Sequence, residues 1–478
     1  MATFLSWVLL LLAIPVTATW ADDTTLPNLG GSGGGLFSSQ QENEIGHQVL
    51  RSLRKSGALL NDTLTLDYLH TLVYRLVPSA PLDDRNLTTI VINDPQVNAF
   101  AVPGGIIGVN GGLFVHAQTE QEFAAVLAHE LGHLSQRHFA RQLEREKSDM
   151  PWTVAGIITG FILAAVTNSD VGIATIAGTQ AASVQKMLHY SRENEREADR
   201  VGLQILADSG FDPRAMPKMF EELLRESRIQ GTQLPEYLSS HPVTESRIAD
   251  TRNRAEQYPR RKYHDSLEYH LVRSRMMVYF ADSPDAAVRQ FQARVDDASK
   301  GGSQPLRYGL AVALIQDGHP KKAMPILQRL LSENPNRITY EVTLGNAELK
   351  AGEPAEAYNR LSDALSRNPG NLPIMAELAK VDMLDNRPEE AALLLRHLTT
   401  DHPQDAFLWQ SLADAEGKSG NIVEVHLARA QYDLLMGNPQ SAMLQLRQAL
   451  AKAGDNGPVQ DIIQQRMEEA RKLQREAH

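Results

Sequence analysis

Cysteine is absent from all 478 residues, which excludes a disulfide framework and a thiol nucleophile. Basic charge is in deficit. Against 58 Asp and Glu stand 47 Lys and Arg, a formal net charge of -11, which argues against a nucleic-acid partner. Long apolar runs are missing too: Phe4 to Val16 is too short, and Trp152 to Val166 marginal, for a hydrocarbon core of about 30 Å. The first run suits a signal peptide over residues 1–21, with cleavage expected after Ala21. No Lys or Arg precedes it, so the amino terminus must supply the positive charge, and an uncleaved anchor is the alternative reading. The glycines of 30–35 follow no strand and lead to no phosphate-loop lysine, which removes nucleotide binding and leaves 22–40 as a flexible entry segment. A chain of this length suggests two or three domains.

What is present centres on residues 120–138, where His129-Glu130-Leu131-Gly132-His133 forms an H-E-x-x-H motif. Chance alone produces that pattern in roughly 3 of 100 such chains, so its context must carry it. Phe123, Val126, Leu127, Leu131 and Leu134 recur at helical spacing, which predicts a buried helix with a polar stripe. Positions four apart lie about 40° apart in azimuth, so His129 and His133 share a face where two imidazoles can bind one zinc ion. Glu130 flanks that face as a base for water activated by the metal. Gln136 and Phe139 stand where a metzincin needs Gly and His, so that class is excluded. His138, on the same continuous helix, would point about 140° away and reads as a surface histidine. A third ligand is sought downstream, where Glu195 and Asp199 stand four apart on a second helix. Glu195 can ligate while Asp199 accepts the free ring N–H of a ligating histidine. Glu193 and Glu197 compete for the ligand role.

The pair H-E-L-G-H and, some sixty residues on, E-N-E-R-E-A-D-R-V-G resembles the zinc metallopeptidases that include HtpX-like and CAAX prenyl proteases. The resemblance implies a gluzincin-type fold, Glu195 as third ligand beside His129 and His133, Asp199 as its outer partner, and one Zn2+ per chain. Asn98 to Gly105, followed by Leu113-Phe114, is similar to that family's edge strand and turn, and such a strand can bind an extended substrate. Thr88 to Ile92 reads as a further strand, and Gln41 to Lys55 and Leu64 to Val77 as amphipathic helices. His241-Pro242 and Arg247-Ile248 resemble the family's closing motif. Proline holds the backbone of His241 extended, and its ring can stabilise the oxyanion or occupy the open zinc position and silence the enzyme. Arg247 can orient substrate or pair with Glu245. Residues 152–182 read as a helix pair sheltering the site, with a membrane-inserted or peripheral membrane hairpin as alternatives.

The remainder repeats itself. Gly318-His319-Pro320, Gly352-Glu353-Pro354 and Asn386-Arg387-Pro388 recur every 34 residues, the period of tetratricopeptide repeats, which stack helix pairs into a solenoid. Near the end Gly420 and Gly437 are 17 apart, which suggests single capping helices. The expected architecture is mainly α: a zinc peptidase with a small β-sheet at 41–258, then an α-solenoid at 266–478. Export signal, peptidase and repeats in that order resemble a periplasmic branch of the family. That resemblance implies degradation of unfolded or misassembled outer-membrane β-barrel proteins and chaperone-like help to their assembly. Its implied partners are the barrel-assembly machinery and the lipopolysaccharide-transport barrel. A chaperone or scaffold with a latent metal site, and a membrane-embedded protease, are the competing classes.

Overall fold

The computed structural model describes residues 38–146, 155–156, 158–160, 190–230, 236–298 and 302–476. The expected signal peptide and most of the second apolar stretch lie outside the described residues. Helix α1 (Ser39–Ser56) begins inside the segment expected to be flexible, because Ser38 and Gln41 cap it reciprocally. Asp62 caps α2 (Thr63–Leu76) through the Thr65 N–H. Three strands follow: β1 (Thr88–Ile92), β2 (Ala99–Val102) and β3 (Ile106–Asn110). Their order is β1-β3-β2, with β1 parallel and β2 antiparallel to β3, so β2 forms an edge. The β2–β3 turn needs left-handed backbone, which Gly104 and Gly105 provide at φ 81° and 76°.

Beyond the sheet come α3 (Gly111–His116), α4 (Glu120–Ser135), α5 (His138–Glu146), α6 (Arg192–Asp208), α7 (Ala215–Gln230), α8 (Glu236–Ser240) and α9 (Glu245–Ala255). A Thr119–Glu122 capping box starts α4, and nearly all of α4 is buried, so it runs through the core rather than over it. It packs on α6 at close range. A Cβ on Gly132 would come within 2.8 Å of the Ala198 carbonyl oxygen, and one on Gly202 within 3.1 Å of that of Ala128. These two glycines let the helix backbones approach and set the distance between the side chains they carry.

Helix α10 (Leu267–Tyr279) serves both halves of the molecule. Its Tyr269, Val272 and Met276 join the peptidase core, while Leu271 and Val278 join the first repeat core. The solenoid then runs through α11 (Pro284–Asp297), α12 (Gln304–Gln316), α13 (Pro320–Glu333), α14 (Ile338–Lys350), α15 (Pro354–Arg367), α16 (Leu372–Leu384), α17 (Pro388–Asp401), α18 (Ala406–Lys418), α19 (Ile422–Leu435), α20 (Pro439–Lys452) and α21 (Gly457–Glu476). Left-handed Gly318, Gly352 and Asn386 end the first helix of their units, and Pro320, Pro354 and Pro388 open the second, where a missing N–H costs nothing. The last three helices share one core. The solenoid also returns to the peptidase. Leu64 of α2 is buried with Val342, Ile374 and Leu378 of the repeats, and Arg54 of α1 donates to the carbonyl of Leu435 at 3.2 Å. Among the described residues no helix is long and apolar enough to cross a membrane.

Candidate metal centre

Helix α4 brings His129 and His133 to one face, α6 sets Glu195 opposite, and the α8–α9 loop lowers His241 onto the same point. All four are buried, and one donor atom from each lies within 4.8 Å of the others. A tetrahedral ion with bonds of about 2.0–2.1 Å requires donors about 3.3 Å apart. The Nε2 atoms of His129 and His133 are 3.0 Å apart, and Glu195 oxygens lie 3.6 and 3.3 Å from them. His241 Nδ1 is 3.4 Å from His129 Nε2 and 3.1 Å from Glu195. The donor set therefore fits a divalent metal with His241 at the fourth corner. Glu130 points beside it, its Oε1 3.5 Å from His241 Nε2. Of the three glutamates weighed on α6, only Glu195 joins the cluster; Glu193 is exposed and Glu197 turns to His138.

The surrounding contacts correct two expectations. Asp199 lies 3.0 Å from His129 Nδ1 as expected of an outer partner, but Arg247 does not pair with Glu245. Its guanidinium donates to both oxygens of Asp199 at 2.7 and 2.8 Å, lies 2.5 Å from Glu195, and reaches the Pro242 carbonyl at 2.8 Å. Glu245 pairs instead with Arg228. His138 is no surface histidine either. It is fully buried, with Nδ1 2.9 Å from Nδ1 of His133 and Nε2 2.9 Å from Glu197. The azimuth argument failed because α4 stops at Ser135. Arg137 adopts φ 48°, and that left-handed turn carries His138 back toward the site at the start of α5. Tyr190, which stacks on His133 at 4.1 Å, and Tyr237, which stacks on His241 at 4.8 Å, were not singled out by sequence. Neither sits in a motif, so no periodicity pointed to them.

Residues 64–255 match peptidase family M48 and residues 348–415 match a tetratricopeptide repeat. The beta-barrel assembly-enhancing protease of Yersinia pestis is 32% identical over 448 residues, covering 94% of this chain and 92% of that one. A Vibrio cholerae relative, which carries the same name provisionally, is 38% identical and covers 88% of this chain and 87% of its own. The chain belongs to the beta-barrel assembly-enhancing protease family. The peptidase half alone also resembles the mitochondrial metalloendopeptidase OMA1 of Arabidopsis thaliana, at 35% identity over 33% of this chain and 29% of that one. The chain is therefore an M48 metallopeptidase, a mainly helical one with a small sheet, followed by tetratricopeptide repeats.

In this family member the site is electrostatically divided. Burial raises the carboxyl of Glu130 above its ordinary range, against the pull of His241 and His129. Burial would raise Glu195 too, but His241 and Arg247 overcome it and hold that carboxyl well below its usual range. Asp199 is held down in the same way by Arg247. Burial drives His133 well below the ordinary imidazole value and His138 down to about 4, so both are neutral near pH 7. A cavity of about 50 Å³ opens between Glu130, His241, Tyr190 and the Phe100–Val102 stretch of β2. Ala101 of β2 and Glu130 line the same cavity, which sets the edge strand beside the proposed base.

Proposed function

We propose that the chain is a zinc endopeptidase of the cell envelope that hydrolyses unfolded or misassembled outer-membrane β-barrel proteins and assists their assembly. The observation that carries the chemistry is the buried tetrahedral spacing of His129, His133 and Glu195, with Glu130 and the edge of β2 on the same small cavity. Zinc held there would lower the pKa of water to about 7 and polarise the scissile carbonyl. An extended client backbone adds to the free edge of β2, which delivers its peptide bond beside Glu130. Glu130 takes the proton of the attacking water and passes it to the leaving amine; burial, by favouring the protonated carboxyl, suits it to both halves of that transfer. Asp199 and Arg247 keep His129 and Glu195 in place. The family names support barrel proteins as clients. The repeats support protein partners, with the barrel-assembly machinery and the lipopolysaccharide-transport barrel as the proposed ones, and the periplasm as the place.

A second reading concerns His241. Its Nδ1 lies at donor spacing from His129 and Glu195, which favours a resting state in which His241 closes the metal's open position over a role restricted to the oxyanion. The decisive experiment uses the chain without residues 1–21 and an unfolded barrel protein. About one zinc per chain is expected, and Glu130→Gln should keep it while losing cleavage at least about 10²-fold; cleavage at the wild-type rate would remove Glu130 as base. His241→Ala should cleave faster if the residue gates the metal, and slower with zinc retained if it serves the oxyanion. Zinc without cleavage in wild type and His241→Ala alike moves the reading to a chaperone with a latent site.

A further inference from the structure

The two histidines of α4 have different surroundings. His129 Nδ1 faces a carboxylate, that of Asp199, at 3.0 Å. His133 Nδ1 faces another imidazole, His138, at 2.9 Å, and the far nitrogen of His138 faces Glu197 at 2.9 Å. Glu197 also accepts from Arg141 at 2.8 Å. We propose that His138 and Glu197 form a relay that sets the tautomer of His133 and holds its ring on the metal, as Asp199 does for His129. This rests on reading His133 as a metal ligand.

The proton count supports the direction of the relay. Two ring nitrogens at hydrogen-bond distance away from the cluster share one proton between them, as His133 and His138 do. The facing Nε2 atoms of His129 and His133 are instead the donors offered to the metal. His133 offers Nε2 to the cluster, where it lies 3.3 Å from Glu195. Its proton therefore sits on Nδ1 and is donated to His138 Nδ1. His138 has one N–H left, on Nε2, and donates it to the Glu197 carboxylate. Every bond is made with neutral imidazoles and one ionised acid, and no water is needed at a ring that is fully buried. The left-handed Arg137 is what allows the arrangement, because an unbroken α4 would carry residue 138 away from the site. Tyr190 stacks on one face of His133, so ring rotation is opposed by packing as well as by the hydrogen bond at its edge. His138 and Glu197 are positioning residues that touch neither metal nor substrate.

The test is metal affinity, measured by competition with a chromophoric chelator, together with the visible spectrum of the cobalt-loaded chain. His138→Leu removes the acceptor. His138→Asn places an oxygen close to where Nδ1 stood, and Glu197→Gln weakens the far end with little change of shape. Loss of such an outer partner is expected to weaken binding about 10- to 100-fold in His138→Leu and change the cobalt spectrum, with His138→Asn within about 3-fold of wild type and Glu197→Gln in between. Equal losses in His138→Leu and His138→Asn would overturn the relay, since packing alone would then explain them. Unchanged affinity in Glu197→Gln would overturn it even where His138→Leu does not fold. His133→Ala separates this from the parent reading: if it binds metal as wild type does, the ligand assignment itself fails.

Discussion

At Arg247 one guanidinium holds two buried carboxylates, Glu195 and Asp199, and the backbone of the His241 loop. The residue is 4% exposed, so neither acid can turn to water if it is removed. Breaking such a pair costs about 3–5 kcal/mol, because the remaining charges stay buried and uncompensated. A metal cation would supply part of the missing charge. Arg247→Ala should therefore lose about 3 kcal/mol or more in urea unfolding with chelator present, and visibly less with saturating zinc; an equal loss in both conditions would refute the electrostatic account. Arg247→Lys should recover little, since a point charge cannot fork between two carboxylates. Which residues were legible follows the same logic. His129 and His133 on one helix, and Glu195 and Asp199 on another, stand four apart inside unbroken helices, so period put each pair on one face, while the family resemblance chose Glu195 over Glu193 and Glu197. His138 and Arg247 depend on a left-handed residue and on tertiary packing, and neither is written in a period.

At the scale of elements, the site is a consequence of how closely α4 and α6 pack. The first carries His129 and His133 and the second Glu195, so their separation sets the donor spacing. Gly132 is the internal residue of the motif that permits it, with the Ala198 carbonyl oxygen 2.8 Å from where a Cβ would stand. In an isolated helix Gly→Ala gains about 1 kcal/mol. At this position the gain is outweighed, because the added methyl meets backbone that can yield only by moving a helix, at about 1–3 kcal/mol. Gly132→Ala is thus expected to lower stability by about 1–2 kcal/mol and to weaken metal binding as well. The matched control is Gly417 in α18, where the nearest atom to an added Cβ is a Val425 methyl at 3.8 Å. Gly417→Ala should raise stability by about 0.5–1 kcal/mol with metal binding unchanged. Chemical denaturation and chelator competition on the pair decide this, and a stabilised Gly132→Ala with normal affinity would show that the helices have room to spare. The glycine and proline punctuation of the repeats was readable from sequence for a related reason: each is a local backbone demand met by a particular residue type.

Across the whole molecule, peptidase and solenoid are joined at more than a linker. Helix α10 belongs to both cores, Leu64 lies in a repeat cluster, and Arg275 of α10 grips Asp62 of the peptidase through contacts of 2.6 to 2.9 Å while reaching the Tyr308 hydroxyl at 3.3 Å. A sequence reading that ends one domain at 258 and starts the next at 266 could not foresee this, since repeat periodicity says nothing of what the repeats pack against. The ion pair gives the junction a pH signature. Burial would raise the Asp62 carboxyl, but Arg275 and the Thr65 contacts outweigh it and hold it below its ordinary value of 3.8. Its folded value lies below its unfolded one, so the contribution is present above about pH 4 and is lost as pH falls through the folded value. Asp62 also caps α2, and with 17% of its side chain exposed the pair is screened in part. Asp62→Asn, which retains a capping oxygen, should cost about 2 kcal/mol at pH 7. That difference should shrink toward zero as the pH falls below about 4, as followed by urea unfolding at a series of pH values. Because the lost pair bridges two cores, hydrogen exchange should quicken in both α2 and α12 of the variant. Loss confined to one of them, or a difference that stays constant with pH, would mean that peptidase and repeats stand independently and that the pair is only a surface contact.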